Sequence, residues 1–168
     1  MLQSAELLKH KLLIGLIYGC GLRCMEVRNI KLQHLDFDRK MLHIVQGKGK
    51  KDRYVPLSEH LIRGLKTFIK VENPDQYLFN GNQNRNIEEI DLKTHQNALQ
   101  KPDFDSRYSQ RGVQWVIKTI SKKAGITKEV HTHTLRHSYA THLLEDGVPI
   151  IMVQKLLGHE RIESTMEY

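Results

Sequence analysis

A chain of 168 residues can form one domain with a real hydrophobic core and is too short for two comfortable ones. Its 26 Lys and Arg against 19 Asp and Glu give a net charge of +7 and a pI near 9.4, which points to a polyanionic partner, nucleic acid first. Cys20 and Cys24 are too few for a disulfide framework and lack the partners of a zinc ribbon, so a reducing cytoplasm suits them. The apolar run from Leu12 to Leu22 is far shorter than a membrane span, and Glu6 and Arg23 beside it argue for a buried helix rather than a secretion signal.

In chain order, Ala5 to Tyr18 reads as a central helix, apolar on more than one face and closed by Gly19 and Gly21. A second helix is predicted from Leu22 to Ile30, with Arg23 and Glu26 three apart on one side where they can brace each other. Leu35 to Phe37, Met41 to Val45 and Arg53 to Leu57 carry the branched and aromatic content of short strands, and suggest a small antiparallel sheet whose last connection is crowded with positive charge. Ser58 can cap a helix that carries Leu61, Leu65 and Ile69 and stops before Asn73-Pro74. Tyr77-Leu78-Phe79 reads as a further short strand, and the polar stretch from Asn80 to Arg111 as a long surface excursion with one weak helix near Leu92 to Leu99.

Order resumes at Ser109, where Val113, Val116, Ile117, Ile120 and Ala124 form an apolar face ended by Gly125, with Trp115 expected to complete that core. A helix from Thr134 to Asp146 stops at Gly147, and another starts at Pro149 and stops at Gly158. Ser164 or Thr165 can open a last turn that holds Tyr168. The fold class expected is therefore mainly α with a small antiparallel β-sheet, α+β, over residues 1–168.

Four groups of residues carry chemistry. His133 and Arg136, three apart at the start of a helix, are adjacent on its surface and can grip one phosphate, although the pair alone is also an ordinary solvated helix face. Leu157-Gly158-His159 precedes Tyr168 by a short link, placing a donor near a phenol; with an ordinary pKa of about 10, that phenol needs cationic neighbours to act as a nucleophile. Arg23, oriented by Glu26, supplies a second guanidinium, and two such groups on one phosphate do what a metal ion does in other phosphoryl-transfer enzymes. Lys48, between Gly47 and Gly49, is placed to protonate a leaving alkoxide; Lys50, Lys51 and Arg53 read instead as a solvated basic turn against DNA phosphates, with Arg111 a further DNA contact.

Taken in this order and spacing, Gly21-Leu22-Arg23-x-x-Glu26, Gly47-Lys48-Gly49 with Arg53-x-Val55-Pro56-Leu57, His133-x-x-Arg136-His137 and Leu157-Gly158-His159 to Tyr168 closely resemble the tyrosine recombinases of the phage-integrase family, with wording nearest to Xer-type and integron-type members. The resemblance implies a recombinase catalytic-domain fold in which Arg23 and Arg136 bind the scissile phosphate. His133 and His159 would add hydrogen bonds or proton transfer, Lys48 would be the general acid, Glu26 would support Arg23, and Tyr168 would form a 3′-phosphotyrosyl link. It implies no ATP, no cofactor and no metal, a double-stranded DNA recombination site as substrate, and a homo-tetramer on DNA. A cytoplasmic, nucleoid-associated protein without a membrane anchor follows. The family's N-terminal helical domain is not represented in 1–168, so the whole chain is expected to be the catalytic domain, monomeric as this piece alone.

Three rival readings remain at this point. A type IB topoisomerase has a similar active site but relaxes supercoils without strand exchange. A metal site drawn from His131, His133, His137, His142 and His159 has histidines in abundance but no H-E-x-x-H arrangement. A non-catalytic DNA-binding module would use the basic hairpin and the Ser109 to Ala124 helix on phosphates and cleave nothing.

Overall fold

The structure is a computed structural model, and it describes residues 1–45, 52–81 and 106–166. The expected weak helix near Leu92 to Leu99 lies outside the described residues, as do Lys48, Lys50, Lys51 and Tyr168.

Helix α1 (Leu8–Gly19) buries Leu12, Leu13, Ile14, Leu16 and Ile17, so no polar face survives along its middle. A helix apolar all round belongs in the interior. It packs against α2 (Cys24–Arg28), α3 (Glu59–Glu72), α4 (Gln110–Lys123) and α5 (Thr132–Glu145), which surround it. The remaining helices among the described residues are α6 (Ile150–Leu157) and the short α7 (Glu163–Met166). Between α2 and α3 lie a single 3-10 turn (Leu32–His34) and three strands, β1 (Leu35–Asp36), β2 (Met41–Ile44) and β3 (Arg53–Pro56). They form one antiparallel sheet in the order β1-β2-β3, with Leu42 opposite Val55 and Ile44 opposite Arg53.

Caps fix several of the helix ends. The Ser58 hydroxyl accepts from the Leu61 N–H at 3.3 Å and that of Ser109 accepts from the Gly112 N–H at 2.9 Å, satisfying donors that the first turns of α3 and α4 leave open. Asn73 ends α3 in the left-handed region, before Pro74. Gly158 ends α6 the same way with φ +64.

Four expectations change in detail. The first helix starts at Leu8 rather than Ala5, and the second spans only Cys24–Arg28 because Arg23 is extended (φ −78, ψ 157) and acts as its N-cap. Tyr77 to Phe79 is not a strand: isolated bridges join Lys31 to Tyr77 and Asn80 to Arg107, while Leu78 and Phe79 turn into the core. Trp115 does not complete the core but stands 59% exposed, edge-on to His10 at 6.3 Å. At 3.6 residues per turn it lies roughly 200° around the helix from Val113, opposite the buried stripe of Val113, Val116, Ile117 and Ile120.

Among the described residues the buried side chains form two clusters. The large one surrounds α1 and includes Leu22, Val27, Val55, Leu78 and Leu135; the small one joins Tyr139 and Ala140 of α5 to Val153 and Leu157 of α6. The chain crosses from α1 to α2 at the seam between them. There Gly21 takes φ +60, and a Cβ on it would come within 2.6 Å of the Tyr139 ring and 2.9 Å of Leu157. Gly21 is therefore a point at which the chain passes tightly against the small cluster. Among the described residues no helix is long and apolar enough to cross a membrane.

Gly21→Ala is expected to lose more stability than backbone strain alone explains. Gly125 is the reference, since it also has positive φ (+70) but nothing within 4 Å of its would-be Cβ. Gly125→Ala should cost about 1–2 kcal/mol in urea denaturation, the penalty for an L side chain in the left-handed region. Gly21→Ala should exceed it clearly, and equal losses would show that the Tyr139 contact is not tight.

Candidate active site

Glu26, in the first turn of α2, is 8% exposed, and three guanidinium groups converge on it. Arg53 binds it through a fork, Nη1 to Oε1 and Nη2 to Oε2, both at 2.8 Å. Arg23 donates from Nη1 to Oε1 at 2.9 Å, and its backbone N–H donates to Oε2 at 2.8 Å. Arg136 Nη1 lies 3.9 Å from Oε2. Burial alone would push the Glu26 carboxyl up, but the Arg53 hydrogen bonds and charge, followed by those of Arg23, outweigh it and hold the group down at about 2.

On their other side the same three arginines meet the end of α6. Arg53 Nε donates to the Leu156 carbonyl at 2.8 Å, Arg136 Nη2 to the Leu157 carbonyl at 2.5 Å, and Arg23 Nη2 to the Gly158 carbonyl at 3.3 Å. Three consecutive carbonyls at a helix C-terminus, which have no partner within the helix and sit at the negative end of its dipole, thus receive three cations. Arg136 Nη1 also donates to the Gly21 carbonyl. Gly158 must be small here, because a Cβ would come within 3.1 Å of the Arg53 side chain.

Exposure separates the three. The side chains of Arg136 and Arg53 are 3% and 9% exposed, whereas that of Arg23 is 18% exposed and uses two of its five donors on Glu26 and Gly158 among the described residues. His133 stands exposed in the first turn of α5, one turn ahead of Arg136. His159 follows Gly158 directly, and its Nδ1 pairs with the hydroxyl of the buried Thr165 in α7 at 2.9 Å. Arg111 is exposed at the start of α4. Burial pushes the Tyr139 phenol up to about 12, so that side chain stays protonated and serves packing.

A sequence profile described as the phage integrase family matches residues 1–168. This chain belongs to the phage integrase family. It is 39% identical over 161 residues to a tyrosine recombinase of Thermosipho africanus, covering 96% of this chain and 49% of that protein. The fold matches the crystal structure of XerA recombinase with a TM-score of 0.80 at 25% identity, covering 98% of this chain and 54% of the other. It also matches XerH site-specific recombinase bound to palindromic difH substrate, with a TM-score of 0.77 at 24% identity, covering 99% and 44%. The chain spans about half the length of the curated relatives it matches.

Within this phage-integrase fold, Arg23, Glu26, Arg136 and His159 come together around the end of α6, and His133 lies one turn along α5. Arg53 departs from its expected place on a solvated turn that faces DNA. Its guanidinium points inward as the main partner of Glu26, because β3 alternates and Arg53 shares a face with the fully buried Val55. That spacing of two was the signal for it in the sequence. Ser164 or Thr165 was expected to open the last turn; both lie inside it, and Thr165 anchors His159. Among the described residues no three His, Cys, Asp or Glu side chains converge as metal ligands would.

The depressed Glu26 carboxyl makes the site acid-sensitive. A group at about 2 when folded and 4.5 when unfolded stabilises the fold fully above about pH 5, and that stabilisation fades as pH falls toward 2. The contribution is about 3 kcal/mol. Urea unfolding of Glu26→Gln should show lower stability at pH 7 and a flatter decline between pH 5 and 2 than the unchanged chain. Parallel curves would mean that Glu26 is not the ionised clamp.

Proposed function

We propose that residues 1–168 are the catalytic domain of a site-specific DNA recombinase that cuts and rejoins strands through a 3′-phosphotyrosyl intermediate. The observation that carries this reading is the convergence of Arg23 and Arg136 from separate helices onto adjacent carbonyls, Gly158 and Leu157, directly before His159. Two fixed guanidinium groups beside an imidazole suit the charge that builds on phosphate oxygens during in-line displacement.

In this mechanism the Tyr168 phenolic oxygen attacks the scissile phosphorus. The phosphorus–oxygen bond to the 5′ carbon breaks as the tyrosyl–phosphorus bond forms. Lys48 gives its proton to the departing 5′ oxygen, and His133 receives the phenolic proton. His159, held by Thr165, donates to a phosphate oxygen. Arg23 and Arg136 stabilise the pentacoordinate phosphorus, while Glu26 and Arg53 act as positioning residues that fix the two guanidinium groups. The ester link conserves the energy of the broken bond, so the 5′ hydroxyl of a second strand can reverse the step without ATP or metal. Lys50, Lys51 and Arg111 contact DNA phosphates. The whole protein acts in the cytoplasm on paired DNA sites, with four protomers exchanging two strands at a time.

A nicked duplex that traps the intermediate is expected to give a protein–DNA adduct that survives boiling in detergent and EDTA. Tyr168→Phe should abolish it. Arg136→Lys, which keeps charge but loses the fork, should slow adduct formation by about 10²-fold or more, measured below the variant's own melting transition. A DNA-binding module would yield no adduct. A type IB enzyme would form one, relax supercoiled plasmid without any specific site, and make no junctions between two sites.

A further inference from the structure

We propose that a polar groove beyond the C-terminal end of α2 holds a DNA backbone phosphate within about two nucleotides of the reacting one. The proposal rests on the reading of DNA as substrate and adds a place where the strand is gripped.

The groove is a cavity of about 560 Å³ between the 3-10 turn, the end of β2 and the Tyr77 and Arg107 bridges. Lys31 and Arg107 flank the Tyr77 ring, at 5.5 Å and 5.6 Å from its centre. Among the described residues the Lys31 ammonium makes no ion pair; the ring is its neighbour. Arg107 is oriented by Asn29, whose side-chain oxygen accepts from Nη1 at 2.7 Å.

His34 adds a third donor. Its Nδ1 accepts the Lys31 backbone N–H at 3.1 Å, which places the ring proton on Nε2. Burial, then His43 and Lys31, hold this imidazole below its ordinary range against a smaller opposing effect of Asp52, so it remains a neutral N–H donor. His43 closes the groove beside it, stacked on Tyr54 at 4.5 Å and paired with Asp52 at 3.1 Å.

Among the described residues no Asp or Glu lines this space, Asp52 standing behind His43. An ammonium, a guanidinium and an imidazole N–H facing one cavity suit a ligand that carries negative charge and only accepts hydrogen bonds, which describes a phosphodiester. Position favours a continuous strand over a free anion. The active site and the groove sit at the two ends of one helix, with Arg23 the N-cap of α2 and Asn29 its C-cap. Five residues of helix span roughly 7.5 Å. Successive nucleotides of one strand rise about 3.4 Å along the duplex axis and their phosphates lie farther apart than that along the curving backbone, so a strand whose phosphate lies on Arg23 reaches the groove within about two steps.

The test is DNA binding by the whole protein to a labelled random-sequence duplex of about 30 bp, measured by anisotropy across a salt series, since phosphate contacts carry no sequence information. Lys31→Ala should weaken Kd several-fold at low salt and reduce the slope of log Kd against log salt by about one. Lys31→Arg should restore both. Lys70→Ala, which removes an equal charge from the exposed surface of α3, should leave the slope unchanged. An unchanged slope for Lys31→Ala overturns the proposal, as does an equal fall with Lys70→Ala, which would report net charge only. Should Lys31→Ala misfold, Lys31→Gln gives the same reading with the chain length kept. The two inferences fail separately. No adduct from the unaltered protein on the nicked duplex would sink the strand-transfer mechanism, whereas an intact adduct with an unmoved salt slope would sink the groove alone.

Discussion

The arrangement of this protein depends on holding three guanidinium groups together without letting them repel the structure apart. Glu26 does this from one side and the Leu156, Leu157 and Gly158 carbonyls do it from the other. Neither suffices physically. One carboxylate carries a single negative charge against three positive ones, and the open carbonyls of a helix end amount to roughly half an elementary charge. Together they leave the cluster cationic but hydrogen-bonded, with positive charge already fixed in place. Such a site needs little reorganisation when charge moves during reaction.

This also explains why two of the three arginines can be nearly enclosed. A buried cation is costly unless paired and hydrogen-bonded, and Arg53 and Arg136 each have a carboxylate oxygen and a carbonyl within reach. Arg23 is the least enclosed because it caps α2 at the edge of the seam. The division of labour follows from burial. Arg53 braces Glu26, Glu26 braces Arg23, and Arg136 ties the chain at Gly21 to the end of α6.

Much of this was legible in the sequence, for local reasons. Ser58, Ser109, Gly147 and Gly158 mark helix ends because capping and left-handed turns depend on single residues and their immediate neighbours. The Arg23 and Glu26 pair was legible because three residues along a short helix bring side chains together wherever the helix lies. Arg53 was misread because its neighbours Lys50 and Lys51 suggest a solvated turn. Its true partner is 27 residues away and becomes visible only when β3 pairs with β2 and the alternation with Val55 turns it inward. Thr165 was recognised as polar and helix-opening, yet its burial against His159 depends on how α7 packs on α6, which no local pattern encodes. Trp115 shows the opposite error, since hydrophobic size suggested the core while helical phase placed it outside.

The position of the site between two hydrophobic clusters is a mechanical choice as well as a chemical one. Arg23 and Glu26 are carried by an element packed into the large cluster, while the carbonyls that receive the arginines end a helix packed into the small one. Helix α5 runs through both, with Leu135 in the first, Tyr139 in the second and Arg136 between them. A shift of α6 relative to α1 would therefore move all three acceptor carbonyls at once and loosen every guanidinium in the site. Gly21 is where such a shift is resisted, because its bare backbone lets the Tyr139 ring and Leu157 close over the chain. The distances between the three guanidinium groups depend on packing around this glycine as well as on the ion pairs themselves.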